Sequence, residues 1–130
     1  MPAPLRINYR KASRRLVVSF QHAEYELAAE YLRVESPSAE VQGHGGAGAQ
    51  LQSGKKQVAI TDIIATGNYG IRLVFSDGHD SGIYSWSYLD ELGRDYDARW
   101  QTYLQALRAA GQTREPLIAR QFDPNAGEDN

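Results

Sequence analysis

The chain predicts an α+β domain: an antiparallel β-sheet, built from a hairpin and a meander, packed by a short helix and a C-terminal helix. Three observations carry this. Short alternations of apolar and polar residues, separated by turn residues, open the chain. A β-branched run leads a second group of such segments in the middle. A longer stretch near the C-terminus then repeats its apolar residues at helical spacing.

Leu5-Arg6-Ile7-Asn8-Tyr9 alternates, and Leu16-Val17-Val18-Ser19-Phe20 does so in part, with Lys11-Ala12-Ser13 as the turn between them. Tyr25-Glu26-Leu27 extends the sheet briefly. Residues 28–34 read as helix, with Leu27, Tyr31 and Val34 on one face, and Pro37 ends it because the residue before a proline disfavours the α region. From Gly43 to Lys56 the chain is polar and glycine-rich, the pattern of a loop. Val58 to Thr66 reads as a strand, Gly67-Asn68-Tyr69-Gly70 as a turn, and Ile71 to Phe75 as the next strand. Asp77-Gly78 predicts a tight turn into Gly82-Ile83-Tyr84. Ser87 is the expected helix cap, with Asp90 favouring that N-terminus and Gly93 interrupting the helix. Tyr96, Trp100, Tyr103, Leu104 and Leu107 then share one helical face, and Gly111 is a natural C-cap. The domain is assigned to residues 1–112, and residues 113–130 to a polar, disordered tail.

Composition narrows the chemistry. A length of 130 residues suits one core, and 42% hydrophobic with 23% charged residues is ordinary for a globular domain. No run of about 18 apolar residues suggests a membrane span, and no secretory signal pattern opens the chain. A cytoplasmic location is the expectation. The absence of cysteine excludes disulfides, thiolate metal sites and a cysteine nucleophile. Net charge of −2 gives no global attraction to nucleic acid. Arg6, Arg10, Lys11, Arg14 and Arg15 do form a basic hairpin; it reads as a solvated rim, with a phosphate footprint as the alternative.

Known motifs are missing. Gly54-Lys55 is followed by Lys56 and then a strand, so the glycine-rich loop is not a phosphate loop. Ser76, Ser81, Ser85 and Ser87 lie near His79 in sequence, but no Gly-x-Ser-x-Gly elbow is present. His22, His44 and His79, with Asp77 and Asp80, are the metal-ligand candidates. The cluster Asp77-Gly78-His79-Asp80 falls on a predicted turn, which implies exposed side chains; His79 packing or hydrogen-bonding locally is the reading preferred to metal binding. Trp86, with Tyr84 and Tyr88, reads as core, or as a recognition surface if exposed.

Two segments carry a resemblance: Leu32 to Val41, which includes Ser36-Pro37-Ser38, and Phe75-Ser76-Asp77-Gly78-His79. With Tyr31-Leu32-Arg33 and Trp86-Ser87-Tyr88-Leu89, they resemble the N-terminal domain of gamma-butyrobetaine hydroxylase and its relatives, also described as DUF971. The resemblance runs from about Leu5 to Leu107, and the stretch from Ser36 to Gly45 is similar to the stand-alone bacterial form. In that family the domain precedes the catalytic barrel of the hydroxylases or is appended to iron–sulfur carrier ATPases. There it holds a structural zinc through Cys-Pro-Cys-x-x-Cys and a histidine. Here Ser36, Ser38 and Val41 stand at the cysteine positions, and only His79 matches a ligand. The resemblance therefore implies a domain without the family zinc and without any cofactor.

These readings lead to a non-catalytic accessory module acting through protein–protein contact, with an unknown protein partner and a possible link to iron–sulfur or oxygenase metabolism. The expected contact surface takes in Arg33, His44, Asp77, His79 and Trp86, with the Gly43 to Gly48 loop. A metal protein using His44, His79, Asp77 or Asp80, and a small nucleic-acid binder using the basic hairpin, are the alternatives.

Overall fold

The computed structural model describes residues 1–43 and 49–116. The chain runs β1 (Arg6–Arg10), β2 (Arg15–Ser19), β3 (Glu24–Ala28), α1 (Ala29–Val34), α2 (Ala39–Gln42), β4 (Ile60–Thr66), β5 (Gly70–Phe75), β6 (Ile83–Ser85), α3 (Trp86–Arg94) and α4 (Tyr96–Ala110). The α+β prediction holds, with one correction. The strands form two three-stranded antiparallel sheets, β1-β2-β3 and β4-β5-β6, rather than one. The cause is β3: the segment from Glu24 is a full strand, paired with β2 from Arg15↔Ala28 to Ser19↔Glu24, and it completes the first sheet.

Leu16, Val18 and Leu27 of the first sheet meet Leu73, Phe75 and Tyr84 of the second in one core, closed by Leu32 of α1 and by Leu89 and Leu92 of α3. A smaller cluster of Val34, Tyr103 and Leu107 seats α4 against the end of α1. Among the described residues no helix is long and apolar enough to cross a membrane.

Local details differ from expectation in instructive ways. The cap of α3 is Ser85, not Ser87: the Tyr88 N–H donates to Ser85 Oγ at 3.1 Å, and the helix has already begun at Trp86. Asp90 is therefore not in the first turn; it is buried, accepting hydrogen bonds from His22 at 2.7 Å and from the Tyr25 hydroxyl at 2.9 Å. The turn after β5 is not a two-residue hairpin. Seven residues separate Phe75 from Ile83, and this loop folds inward. Residues 113–116 belong to the folded body, because Gly54 N–H donates to Thr113 O and Lys56 N–H to Arg114 O, each at 2.9 Å. The rest of the expected tail, 117–130, lies outside the described residues.

Gly93 does not break α3. It lies inside the helix, and a Cβ there would stand 2.2 Å from the Tyr25 ring. Intrinsic propensity favours alanine over glycine by about 1 kcal/mol in a helix, but the clash acts in the opposite sense, at about 1–3 kcal/mol. Gly93→Ala is expected to lower the urea midpoint. An unchanged or raised midpoint would show that Tyr25 moves aside freely.

Candidate functional site

The last turn of α1 delivers Ser36, Pro37 and Ser38 to the inner side of the β5–β6 loop. There Ser36 Oγ stands 2.8 Å from His79 Nε2, and Ser38 Oγ stands 3.5 Å from the same nitrogen. All three residues are buried. Gly82 makes this approach possible, since a Cβ at that position would lie 2.4 Å from Ser36 Oγ. On the other side of the ring, His79 Nδ1 lies 3.4 Å from a carboxylate oxygen of Glu40, whose side chain is exposed.

Asp77 fixes the loop electrostatically. Arg33 Nε donates to Asp77 Oδ2 at 2.9 Å and Lys55 Nζ to the same oxygen at 2.6 Å, while Oδ1 accepts the His79 N–H at 3.1 Å. Burial raises the Asp77 pKa, but these donors outweigh it and hold the carboxyl down at about 2. His79 moves down from its ordinary value. Burial is the main cause, the Arg33 guanidinium adds to it, and Glu40 and Asp77 oppose it. The neutral imidazole is favoured, and Ser36 Oγ and His79 Nε2 share a hydrogen bond whose direction the imidazole tautomer sets.

Hydroxyl, imidazole and carboxylate thus stand in the order that activates a serine nucleophile. Access decides against that chemistry. Ser36 has no exposed surface (0%), so no substrate carbonyl reaches its Oγ. Zinc does not fit either. Two donors on one tetrahedral ion, each about 2.0–2.3 Å from it, stand well over 3 Å apart, whereas Ser36 Oγ and His79 Nε2 are in direct hydrogen-bond contact. Neutral serine is a poor donor, and Val41 cannot coordinate. Among the described residues no three His, Cys, Asp or Glu side chains converge to hold a metal.

Several of the residues expected on an exposed surface are placed differently. Arg33 and His79 are buried, Asp77 is exposed as expected although its carboxylate is engaged by Arg33 and Lys55, and Trp86 is buried with its Nε1–H donating to Asn68 O at 2.9 Å. Asp80 turns outward, 3.6 Å from Arg72. His44 lies outside the described residues. In the basic hairpin, Arg10 and Arg15 both lean on Glu26, at 3.6 and 3.9 Å. His79 does pack and hydrogen-bond locally, against the Phe75 ring and through its N–H on Asp77, and its Nε2 also meets Ser36 and Ser38, 43 and 41 residues away.

Beside this sealed cluster lies an open groove of about 630 Å³ that the sequence reading missed. Its floor is the α4 face bearing Ala98, Thr102 and Ala106, at spacings of four. Val34, Val41 and Leu51 form the opposite wall. That wall is pinned by Tyr103, whose hydroxyl donates to Gln52 O at 2.6 Å, and by Gln50 N–H on Val41 O at 2.7 Å. At one end the Arg99 guanidinium is shared between Glu35, at 2.8 Å, and Glu91.

A family model described as "gamma-butyrobetaine hydroxylase-like, N-terminal" matches residues 7–90. One solution NMR structure is 46% identical, with a TM-score of 0.79 over 89% of this chain and 92% of the other. A second is 44% identical, with a TM-score of 0.77 over 91% and 89%. A crystal structure of a protein of unknown function from Acidithiobacillus ferrooxidans, belonging to the DUF971 family, is 35% identical. It has a TM-score of 0.59 and covers 69% of this chain and 91% of that one. No curated protein matches the chain.

The lowered His79 pKa means that the unfolded chain takes up this proton first as pH falls. The stability it confers is complete above the unfolded value near 6.5 and is lost progressively below it. Asp77 adds a second loss between the unfolded value of 3.8 and about 2. Urea midpoints measured from pH 7.5 down to 5, in the wild type and in His79→Gln, are expected to fall more steeply in the wild type. Parallel slopes would show that His79 is not held neutral.

Proposed function

The chain belongs to the gamma-butyrobetaine hydroxylase-like N-terminal family, and from that premise we propose that it is a non-catalytic binding module that acts through protein–protein contact. One contrast supports this reading: the polar groups with chemical potential are sealed, while the groove along α4 is open. A serine–histidine pair with no exposed oxygen serves to hold the Ser36–Ser38 turn against the β5–β6 loop. The groove, by contrast, presents apolar surface to solvent, including Leu51 at 38% exposure. Apolar side chains left in an open concavity are the usual mark of a binding surface.

The rigid parts agree with this role. The groove floor is one face of a 15-residue helix, and that helix is tied to α1 through Val34, Tyr103 and Leu107. A contact surface built on regular elements loses little conformational entropy when occupied. The metabolic setting, iron–sulfur or oxygenase chemistry, follows from the family resemblance alone and completes the proposal as a context.

Thr102 is exposed on the groove floor, so Thr102→Trp fills the groove without entering the core. Proteins that co-purify with the wild-type chain from native cells are expected to be lost with Thr102→Trp and kept with Lys11→Glu on the distant hairpin. Equal recovery with Thr102→Trp and wild type, or no specific co-purifying protein, contradicts the proposal.

A further inference from the structure

The charges around the groove are unbalanced at one end. Glu35 and Asp95 line that end as carboxylates against the single guanidinium of Arg99, which Glu91, outside the lining, also engages. Arg99 is already committed on both sides, with Nη1 on Glu35 and Nη2 on Glu91, and its guanidinium lies over the Tyr88 ring. It has no free fork with which to hold an incoming anion. Asp95 is exposed and makes no side-chain cap to α4; no ion pair engages it among the described residues. The Asp95 carboxylate therefore faces this end without a counter-charge among the described residues.

The rest of the trough sets shape and length. From Ala98 to Ala106 the α4 face extends about 12 Å, at about 1.5 Å per residue. An extended segment of about four residues covers the same distance. Small side chains at Ala98, Thr102 and Ala106 leave room for a backbone to lie close to the helix, and Leu51, Val34 and Val41 offer apolar contact on the opposite wall.

We infer that the groove receives an extended segment of a partner protein that places a lysine or arginine at the Glu35–Asp95 end and small or apolar side chains along α4. The inference rests on the binding-module reading and adds the chemistry of the partner to it. Charge complementarity selects the occupant: an acidic segment would meet the uncompensated Asp95 carboxylate, while a basic one completes the ion cluster and gains from the partly desolvated position of Glu35.

Two synthetic hexapeptides test this, one alternating alanine with lysine and its counterpart alternating alanine with glutamate, each titrated into the isotope-labelled protein and followed by amide NMR. The lysine peptide is expected to shift the amides of Asp95, Ala98, Thr102 and Ala106, with binding that weakens as salt is raised. Asp95→Asn is expected to weaken it about two- to fivefold, the effect of one exposed ion pair. Equal or tighter binding of the glutamate peptide, or no shift of these amides by either peptide at millimolar concentration, overturns the inference. The binding-module reading stands or falls separately, on whether Thr102→Trp strips the native partners.

Discussion

The fold depends on the burial of one short helix. All six residues of α1 are buried, including Glu30 and Arg33, and in a helix of that length most backbone N–H and C=O groups lack an intrahelical partner. Each buried polar group left without a partner costs about 1–3 kcal/mol, and more if it is charged. The rest of the chain supplies partners for these groups with one exception among the described residues, Arg33 Nη1, which is buried without a hydrogen bond. Arg114, beyond α4, makes a two-pronged pair with Glu30 at 2.8 and 2.7 Å. Asp77, in the β5–β6 loop, meets Arg33. Tyr84 of β6 donates its hydroxyl to Leu32 O, and Tyr88 of α3 donates to Glu35 O at 2.6 Å, closing carbonyls at the end of α1. Tyr31 reaches from α1 to Leu92 O at 2.7 Å. β6, α3, the β5–β6 loop and the segment after α4 are thus each tied to the end or body of this helix by a polar bond.

The candidate site follows from where that helix ends. Because α1 is fixed at Leu32, Arg33 and Glu35, the Ser36–Ser38 turn has one available place, against His79. The same anchoring sets Val34 and Glu35 at the edge of α4, where they become the wall and the charged end of the groove. The sealed cluster and the open groove are two sides of one constraint. In the family resemblance a metal joins the 36–41 segment to the histidine loop. In this chain the joint is a hydrogen bond between Ser36 and His79, supported by the ion pair of Arg33 with Asp77.

Local signals were legible in the sequence, and long-range ones were not. The first hairpin, the β4–β5–β6 meander, α4 and its left-handed cap at Gly111 follow from alternation, turn residues and helical spacing, all of which act within a few residues. The four residues of α2 carry too little periodicity to register, and the strength of β3 depends on its pairing with β2. Gly93 reads as a breaker only when Tyr25 is out of view. The positions Ser36, Ser38 and His79 were marked by resemblance, but their burial was not, since a turn containing Asp, Gly and His looks solvent-exposed in isolation. The groove had even less signal. Ala98, Thr102 and Ala106 are spaced like a helix face, yet only the packing of α4 on Val34 shows that the face is left open.

The geometry favours His79 as a neutral joint hydrogen-bonded to Ser36 over a metal ligand. The most direct measurement is the NMR titration of its imidazole ring, with and without added zinc. The expected result is a His79 pKa below that of a free histidine and ring signals that do not change when zinc is added at neutral pH. A pKa above 6.5, or a zinc-dependent shift of the His79 ring, would contradict it.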